Sequence, residues 1–247
     1  MRILFLVFIF SISTSSSADE GMWLPNLIST MNIDDMQSKG LSLSTEDIYN
    51  VNKSSLKDAV VALSWGGCTG EIISKGGLLL TNHHCADDLI QFHSTTEKDY
   101  LKNGFWAMNK SEELANENLT ASILVRIENV TERVFSKING SGTEDDRRKK
   151  IRAVANEISN EISDTSHYTS RLRSFYGGNE FYLFIYETFL DVRLVGAPPS
   201  SIGKFGGDTD NWMWPRHTGD FTLLRIYADT NNKPCLLYTS DAADERL

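Results

Sequence analysis

Short apolar runs that are interrupted by glycine or proline recur along most of the chain, and they constrain the fold more than any other feature. Runs of this kind are typical of β-strands. The clearest ones are residues 59–63, 71–74, 78–81, 122–134, 181–186, 192–196 and 221–227. A chain of 247 residues with 40% hydrophobic side chains is long enough for one large β domain or two smaller ones. The pattern therefore predicts a mainly β fold.

One segment between these runs has the period of a helix instead. Thr143 is a suitable N-cap, and the acidic residues 144–146 suit the first turn of a helix, because the amino end of a helix attracts negative charge. The apolar residues that follow recur three or four positions apart, at Ile151, Val154, Ile158 and Ile162. We therefore expect an additional helix in the middle of the chain.

The first eighteen residues have the layout of a secretory signal peptide. Met1-Arg2 is a short cationic start, residues 3–12 are an apolar run broken only by Ser11, and Ser16-Ser17-Ala18 supplies small residues before a polar segment. The apolar run has about ten residues, well short of the roughly 20 that a transmembrane helix needs. We expect residues 1–18 to be removed and the mature chain to be secreted or periplasmic, without a membrane anchor. An uncleaved anchor is the alternative.

The charge balance argues against nucleic acid as a partner. The sequence has 24 Lys and Arg against 33 Asp and Glu, for a formal net charge of −9. A surface that follows phosphate groups needs the opposite excess. We therefore expect no nucleic-acid ligand.

The sequence has three cysteines, Cys68, Cys85 and Cys235. If the chain is exported, they can form disulfides. Disulfides persist in oxidising compartments, and Cys68 and Cys85 lie 17 positions apart. We expect these two to pair, which closes a loop whose constraint is worth about 3 kcal/mol on a chain-entropy argument. Two buried free thiols are the alternative.

The most specific local signal is a histidine placed directly before a cysteine at the end of a strand-like run. His84 follows the run 78–81 and precedes Cys85, whose disulfide would hold the imidazole in place. Trypsin-like proteases fix their catalytic base in this way, and a base must be held within about 3 Å of its proton donor. Asp220 heads the run 221–227 and resembles the aspartate that orients such a base. We expect His84 to be the general base and Asp220 the acid that orients it.

Longer stretches around these residues resemble the bacterial serine dipeptidyl-peptidases of the dipeptidyl-peptidase 7 and 11 type. The resemblance is carried by segments 21–25, 55–59, 67–71 and 81–85, and above all by 196–221 (GAPPSSIGKFGGDTDNWMWPRHTGDF). It implies a chymotrypsin-like antiparallel β-barrel fold, of which this chain would hold the N-terminal barrel and part of the second. It also implies removal of dipeptides from peptides with a free N-terminus, by a serine nucleophile. We expect no metal and no cofactor.

The same resemblance assigns roles within the long loop 197–219. Asn211 and Trp212 match the positions that help to hold the terminal ammonium of the substrate. An exopeptidase needs acceptors for this ammonium, because burying it unpaired would cost several kcal/mol. The Asn211 amide oxygen is such an acceptor, and Trp212 offers an aromatic face. A loop held by its own Asn and Trp is the alternative. The resemblance also allows a homodimer for the full-length parent.

A serine in a glycine-rich turn does not follow Asp220, although triad chemistry needs one for the nucleophile and the oxyanion hole. The segment Asn139-Gly140-Ser141-Gly142 looks similar, but it lies in a polar stretch before the predicted helix. We therefore expect residues 19–234 to be the N-terminal part of a peptidase catalytic domain, inactive alone. Residues 235–247 depart from the family pattern and are expected to be a non-native tail. A genuine C-terminus is the alternative.

Two other functions stay open. A zinc site would use His83, His84, Cys85, His93 and Cys68, although the sequence has no HExxH or CxxC spacing. An exported module that binds peptides with the same barrel and loop, without catalysis, is the second.

Overall fold

The computed structural model describes residues 23–64, 66–138, 140, 142–165, 168–211 and 213–227. The predicted leader 1–18 and the predicted tail 235–247, with Cys235, lie outside the described residues. Trp212 and the side chain of Asn211 lie outside them too. No helix in the described ranges is long and apolar enough to cross a bilayer.

Strands form the framework of the described residues, and the predicted mainly β fold class is confirmed. They form where side chains alternate between core and solvent, or where an apolar run ends at glycine or proline. In chain order they are β1 (Val60–Leu63), β2 (Cys68–Ile72), β3 (Leu78–Thr81), β4 (Phe105–Trp106), β5 (Leu114–Ala115), β6 (Ala121–Asn129), β7 (Thr169–Phe175), β8 (Glu180–Phe189), β9 (Asp191–Ala197) and β10 (Thr222–Tyr227).

These strands belong to one antiparallel sheet, with the order β4-β9-β10-β3-β2-β1-β6-β8-β7 and with β5 paired to β9. Gly70 lets β2 and β3 approach closely, since a Cβ there would lie 2.6 Å from Leu79 Cδ2 and 2.8 Å from the Leu80 carbonyl oxygen. The later strands β8 and β9 pair with β6 and β10 of this same sheet. Within the described residues they therefore belong to the same sheet as the earlier strands.

Along the chain, the helices lie before β1 and in the connections between later strands. They are α1 (Ile28–Met31), α2 (Ile33–Ser38), α3 (Thr45–Ile48), α4 (Asp87–His93), α5 (Tyr100–Asn103), α6 (Thr131–Ile138), α7 (Glu144–Thr165), α8 (Ser200–Gly203) and α9 (Gly207–Asn211). The longest, α7, is the helix predicted from the sequence. Thr143 caps it as expected, because its Oγ1 accepts a hydrogen bond from the Asp146 backbone N–H at 3.1 Å.

The buried side chains form two main clusters and a smaller one. The first lies among β1, β2, β3, β6, β9, β10 and α4, and includes Val61, Leu79, Ile90, Leu194 and Leu224. The second lies between α6, α7 and β8, and includes Val134, Ile158, Phe181 and Ile185. The smaller one contains Leu24, Ile127 and Tyr182. The first cluster packs β3 and β10 together, and these two strands carry the candidate site.

One predicted strand is wrong over its second half. Residues 122–134 are strand-like in sequence, but β6 ends at Asn129 and α6 begins at Thr131. The Asn129 side chain accepts a hydrogen bond from the Thr131 N–H at 3.0 Å. Val134 and Ile138 are both buried, and a spacing of four places them on one helical face. The long loop 197–219 likewise contains two short helices, α8 and α9.

Candidate active site

His84 and Asp220 lie at one edge of the sheet, where β3 ends and β10 begins. The two strands are antiparallel, with Thr81 opposite Thr222. The residues just after Thr81 are therefore next to those just before Thr222. His84 is the third residue after β3, and Asp220 is the second before β10. Strand pairing thus brings together two residues that are 136 positions apart in sequence.

Asp220 contacts His84 through both of its carboxylate oxygens. Oδ2 lies 2.8 Å from His84 Nδ1, and Oδ1 accepts a hydrogen bond from the His84 backbone N–H at 3.0 Å. The Asp220 side chain is 5% exposed and the His84 side chain 52%, so the acid is buried behind an imidazole that faces solvent. With the Nδ1 proton bonded to the carboxylate, Nε2 can accept a proton. Among the described residues, none bonds to Nε2.

Two further side chains bond to the same carboxylate. Arg216 donates from Nη2 to Oδ2 at 2.7 Å, and Asn82 Nδ2 donates at 3.2 Å to Oδ2 and to the Asp220 carbonyl oxygen. Burial acts to raise the pKa of Asp220, but the hydrogen bonds from His84 and the positive charges of His84 and Arg216 outweigh it, and the pKa is lowered. Asp220 is therefore an anion at neutral pH, as an orienting acid must be.

A disulfide restrains the segment that carries His84. Cys68 and Cys85 are bonded, with their Cα atoms 6.0 Å apart. Cys68 is the first residue of β2, and Cys85 directly follows His84. The segment 82–85 is therefore held at one end by β3 and at the other by the bridge to β2. This restraint acts on the backbone N–H of His84, which bonds to Asp220.

His83 points into the protein. Its side chain is fully buried, and neither of its ring nitrogens makes a hydrogen bond to a described residue. Asp87 Oδ1 lies 3.4 Å from Nε2, and Gly203 packs so close to the ring that a Cβ would lie 2.3 Å from Cγ. Burial lowers the pKa of His83, although the charge of Asp87 opposes this shift. His83 is therefore a neutral packing residue next to the exposed His84.

The exposed imidazole opens onto a polar cleft of about 220 Å³. Besides His84 and Asp220, the cleft is lined by Asp87, Gly203, Lys204, Gly207, Asp208, Arg216 and Thr218. Lys204 forms an ion pair with Asp87 at this surface. The predicted loop 197–219 thus forms most of the cleft wall, and the groups on this wall are mainly charged or backbone polar groups.

The structure brings His84, Asp220 and the Cys68–Cys85 bridge together, whereas the predicted ammonium-binding pair stays a prediction. Asn211 is the last residue of α9, whose first residues line the cleft, but its side chain and Trp212 lie outside the description. Sequence reasoning missed Arg216 and Asn82. Their only sequence signal is proximity to Asp220 and His84, which is not specific.

The residues of the zinc alternative are engaged elsewhere. Cys68 and Cys85 are bonded to each other, and His93 Nε2 lies 3.0 Å from Asn116 Oδ1. Within the described ranges, no group of three or more His, Cys, Asp or Glu side chains is arranged to hold a metal ion. Cys68, Cys85 and His93 are therefore engaged with other residues, and the zinc alternative would have to do without them.

The fold and the site define a class of protein, an antiparallel β protein that holds an ionised carboxylate behind a solvent-facing imidazole, as hydrolases with a histidine base do. The family comparison agrees with this class, since the family model for Peptidase S46 matches residues 18–242. The chain belongs to peptidase family S46.

The curated relatives are dipeptidyl-peptidases. An Asp/Glu-specific dipeptidyl-peptidase from Flavobacterium psychrophilum is 47% identical over 241 residues, which are 98% of this chain and 34% of the relative. A second Asp/Glu-specific dipeptidyl-peptidase, from Capnocytophaga gingivalis, is 52% identical, over 87% of this chain and 30% of the relative. Dipeptidyl-peptidase 7 of the same organism is 48% identical, over 88% of this chain and 30% of the relative. The chain spans about a third of the length of these relatives.

Solved structures give the same assignment of the fold. The crystal structure of Porphyromonas endodontalis DPP11 in complex with the dipeptide Arg-Asp has a TM-score of 0.80 and 47% identity, over 88% of this chain and 32% of that one. The structure of DPP11 in complex with substrate has a TM-score of 0.79 and 48% identity, over 87% and 32%.

Proposed function

We propose that this chain supplies the base and the orienting acid of a serine-type dipeptidyl-peptidase, with His84 as general base and Asp220 as its partner. The observation that carries the proposal is the 2.8 Å contact between His84 Nδ1 and the buried Asp220 carboxylate, on an imidazole that lines the cleft. Membership in peptidase family S46 and similarity to dipeptidyl-peptidases support the same activity.

The proposed reaction is acyl transfer. His84 Nε2 takes the proton of a serine hydroxyl while the serine oxygen attacks the scissile carbonyl carbon, and Asp220 stabilises the imidazolium that forms. The imidazolium then protonates the leaving amine as the scissile C–N bond breaks, which leaves the dipeptide bound to the serine as an ester. A water molecule gives a proton to His84 and attacks this ester, and the C–O bond breaks to release the dipeptide and restore the serine. In this proposal the serine belongs to the part of the full-length protein that this chain does not span, since the chain covers 34% of its relative.

The substrate in this proposal is a peptide with a free N-terminus, and Asn211 and Trp212 bind its ammonium group. Asn211 ends α9, which contributes Gly207 and Asp208 to the cleft that His84 lines. The structures of P. endodontalis DPP11 with dipeptide and with substrate support a peptide ligand. The relatives named Asp/Glu-specific dipeptidyl-peptidase and dipeptidyl-peptidase 7 are similarly close to this chain. We therefore propose the release of dipeptides and no particular side-chain specificity.

Export belongs to the same proposal. The leader-like residues 1–18 and the Cys68–Cys85 disulfide both suit a protein that works in an oxidising compartment. A secreted or periplasmic location would also give the enzyme access to peptides from outside the cell.

The test compares the full-length protein with His84→Ala and Asp220→Asn, and measures dipeptide release from a peptide with a free N-terminus. Loss of the base should lower kcat on the order of 10⁶-fold, and Asp220→Asn about 10⁴-fold, because the amide favours the wrong imidazole tautomer. An N-acetylated peptide should not be cleaved, since it lacks the ammonium group.

Asp88→Asn is the matched control, because Asp88 is an exposed acid in α4 that does not line the cleft. It should keep full activity. Full activity of the His84→Ala protein would refute the proposal. Peptide binding without cleavage by the unaltered full-length protein would instead favour the non-catalytic module.

A further inference from the structure

Arg216 and His84 share one oxygen atom of Asp220. Arg216 Nη2 lies 2.7 Å from Oδ2, and His84 Nδ1 lies 2.8 Å from the same atom. We propose that Arg216 is a positioning residue whose permanent positive charge keeps His84 unprotonated, and so active as a base, at lower pH than Asp220 alone would allow. This inference rests on the proposed function of His84 and Asp220.

The nearly buried carboxylate needs a strong set of donors, and Arg216 is the fixed cation among them. Four hydrogen bonds reach its oxygens, from Nδ1 and the backbone N–H of His84, from Arg216 and from Asn82. A guanidinium does not lose its proton in proteins, and its bond to a carboxylate is among the stronger hydrogen bonds. Asp220 therefore has a cation beside it whether His84 is protonated or neutral.

A carboxylate that faced only the imidazole would stabilise the imidazolium form. With the guanidinium on the same oxygen, much of that negative charge is already compensated, and the positive charge of Arg216 opposes a second positive charge on His84. Two unit charges about 5 Å apart interact by the equivalent of about half a pH unit in a water-like dielectric, and of about two pH units in the dielectric typical of a protein surface. This is the size of effect that Arg216 is expected to have.

Other charged groups face the same cleft and are unchanged in the variants below. Asp87 of α4, Lys204 after α8 and Asp208 of α9 line it together with His84, and His83 is the neighbour of His84 in the chain. Asp87 and Lys204 pair with each other, so their effects on His84 largely cancel. Arg216 differs from them because it contacts Asp220 directly.

The test is the pH profile of kcat/KM in the full-length protein with Arg216→Met and Arg216→Lys. Arg216→Met removes the charge at similar length, so the acid limb should move to higher pH by about half to two units. Arg216→Lys keeps the charge, so its acid limb should stay with that of the unaltered enzyme. A residue with a merely structural role would lower activity at all pH values without moving the limb.

A second measurement does not need the nucleophile. In the 247-residue chain, NMR titration of the His84 imidazole should show a midpoint that rises in Arg216→Met and not in Arg216→Lys. Unmoved midpoints and acid limbs in Arg216→Met would overturn the inference, and so would a lysine variant that shifts as far as the methionine variant. If His84→Ala keeps activity, the proposed function itself fails. If it loses activity while Arg216→Met keeps its acid limb, only this inference fails.

Discussion

His83 couples the stability of the fold to pH, because it is buried as a neutral imidazole. Burial lowers its pKa, against the opposing charges of Asp87 and Asp220. The unfolded chain therefore binds a proton at a pH where the folded chain does not. The free energy of unfolding should fall as pH drops below about 6.5, by at most about 1.4 kcal/mol per pH unit in that window. Urea unfolding at pH 7.5 and 5.5 measures this.

His83→Leu is the variant that isolates this effect. It removes the titrating ring and fills similar space, so its stability should depend less on pH over the same interval. An identical pH dependence in His83→Leu and the unaltered protein would mean that other groups are responsible.

Gly203 tests how tightly His83 is packed. A Cβ at residue 203 would lie 2.3 Å from His83 Cγ, so Gly203→Ala must displace the ring or α8. Overpacking of this kind typically costs 1–3 kcal/mol, and displacement next to His84 should also lower activity in the full-length protein. Gly142→Ala is the matched control, because a Cβ there meets no atom within 4 Å. Equal unfolding free energies of the two variants would contradict this packing argument.

The two candidate site residues that the sequence predicted, and that the structure brings into contact, each carry a local signal. His84 was found because it adjoins a cysteine at a strand end, and Asp220 because it heads an apolar run. Arg216 has no such signal, since an arginine four residues before an acid is common in loops. Arg216 Nη2 reaches Asp220 Oδ2 because of the backbone conformation between residues 216 and 220, which is known only from the structure.

At the scale of elements, the cap of α7 is open to a direct test. Thr143 Oγ1 accepts a hydrogen bond from the Asp146 backbone N–H and donates one to the Asp146 carboxylate, at 3.1 Å and 2.7 Å. Thr143→Ala should lower the free energy of unfolding by about 1 kcal/mol. Thr143→Ser keeps the hydroxyl and should be close to neutral. A serine variant as unstable as the alanine variant would show that the methyl group matters instead.

The disulfide should stabilise the fold mainly through the loop it closes. Cys68 and Cys85 are 17 positions apart, which corresponds to about 3 kcal/mol in the chain-entropy treatment. Cys68→Ala with Cys85→Ala should lose this amount, and amide exchange at His84 should become faster. Reductant should lower the unfolding midpoint of the unaltered protein and leave that of the double variant unchanged. A midpoint of the unaltered protein that does not respond to reductant would contradict the argument.

Elements with a clear period were predictable, and the exceptions have physical reasons. The strands near residues 59–63, 78–81 and 192–196, and the helix α7, agree with prediction within a few residues. The switch from strand to helix after Asn129 was missed, because alternating apolar residues give way to helical spacing with no glycine or proline between them. The two-residue strands β4 and β5 are too short for any period.

At the scale of the whole molecule, one sheet joins the two main clusters, and we expect it to unfold as one unit. Leu194 belongs to the first cluster and Ile158 to the second, and both are buried. Leu194→Ala and Ile158→Ala should each cost 2–5 kcal/mol. In each variant, the unfolding midpoint measured by far-UV circular dichroism should equal the midpoint measured by near-UV circular dichroism. Separate midpoints would show that the clusters unfold independently.

Local patterns predicted the fold class but not the order of the strands. The pairing of β10 with β3, and of β1 with β6, joins segments far apart in the chain, and nothing in either segment specifies its partner. The resemblance to a known family supplied the expectation of a barrel. The domain boundaries at 1–18, 19–234 and 235–247 stay predictions.

The separation of 136 positions between His84 and Asp220 also has a consequence for biosynthesis. A ribosome completes β3 long before it reaches β10, so the nascent chain carries an imidazole without its carboxylate until nearly the whole described sheet has been made. Contacts this distant in sequence form late, because the intervening chain must first be ordered. The contact between His84 and Asp220 can therefore form only after the last strand of the described sheet, β10, has been made and has paired with β3.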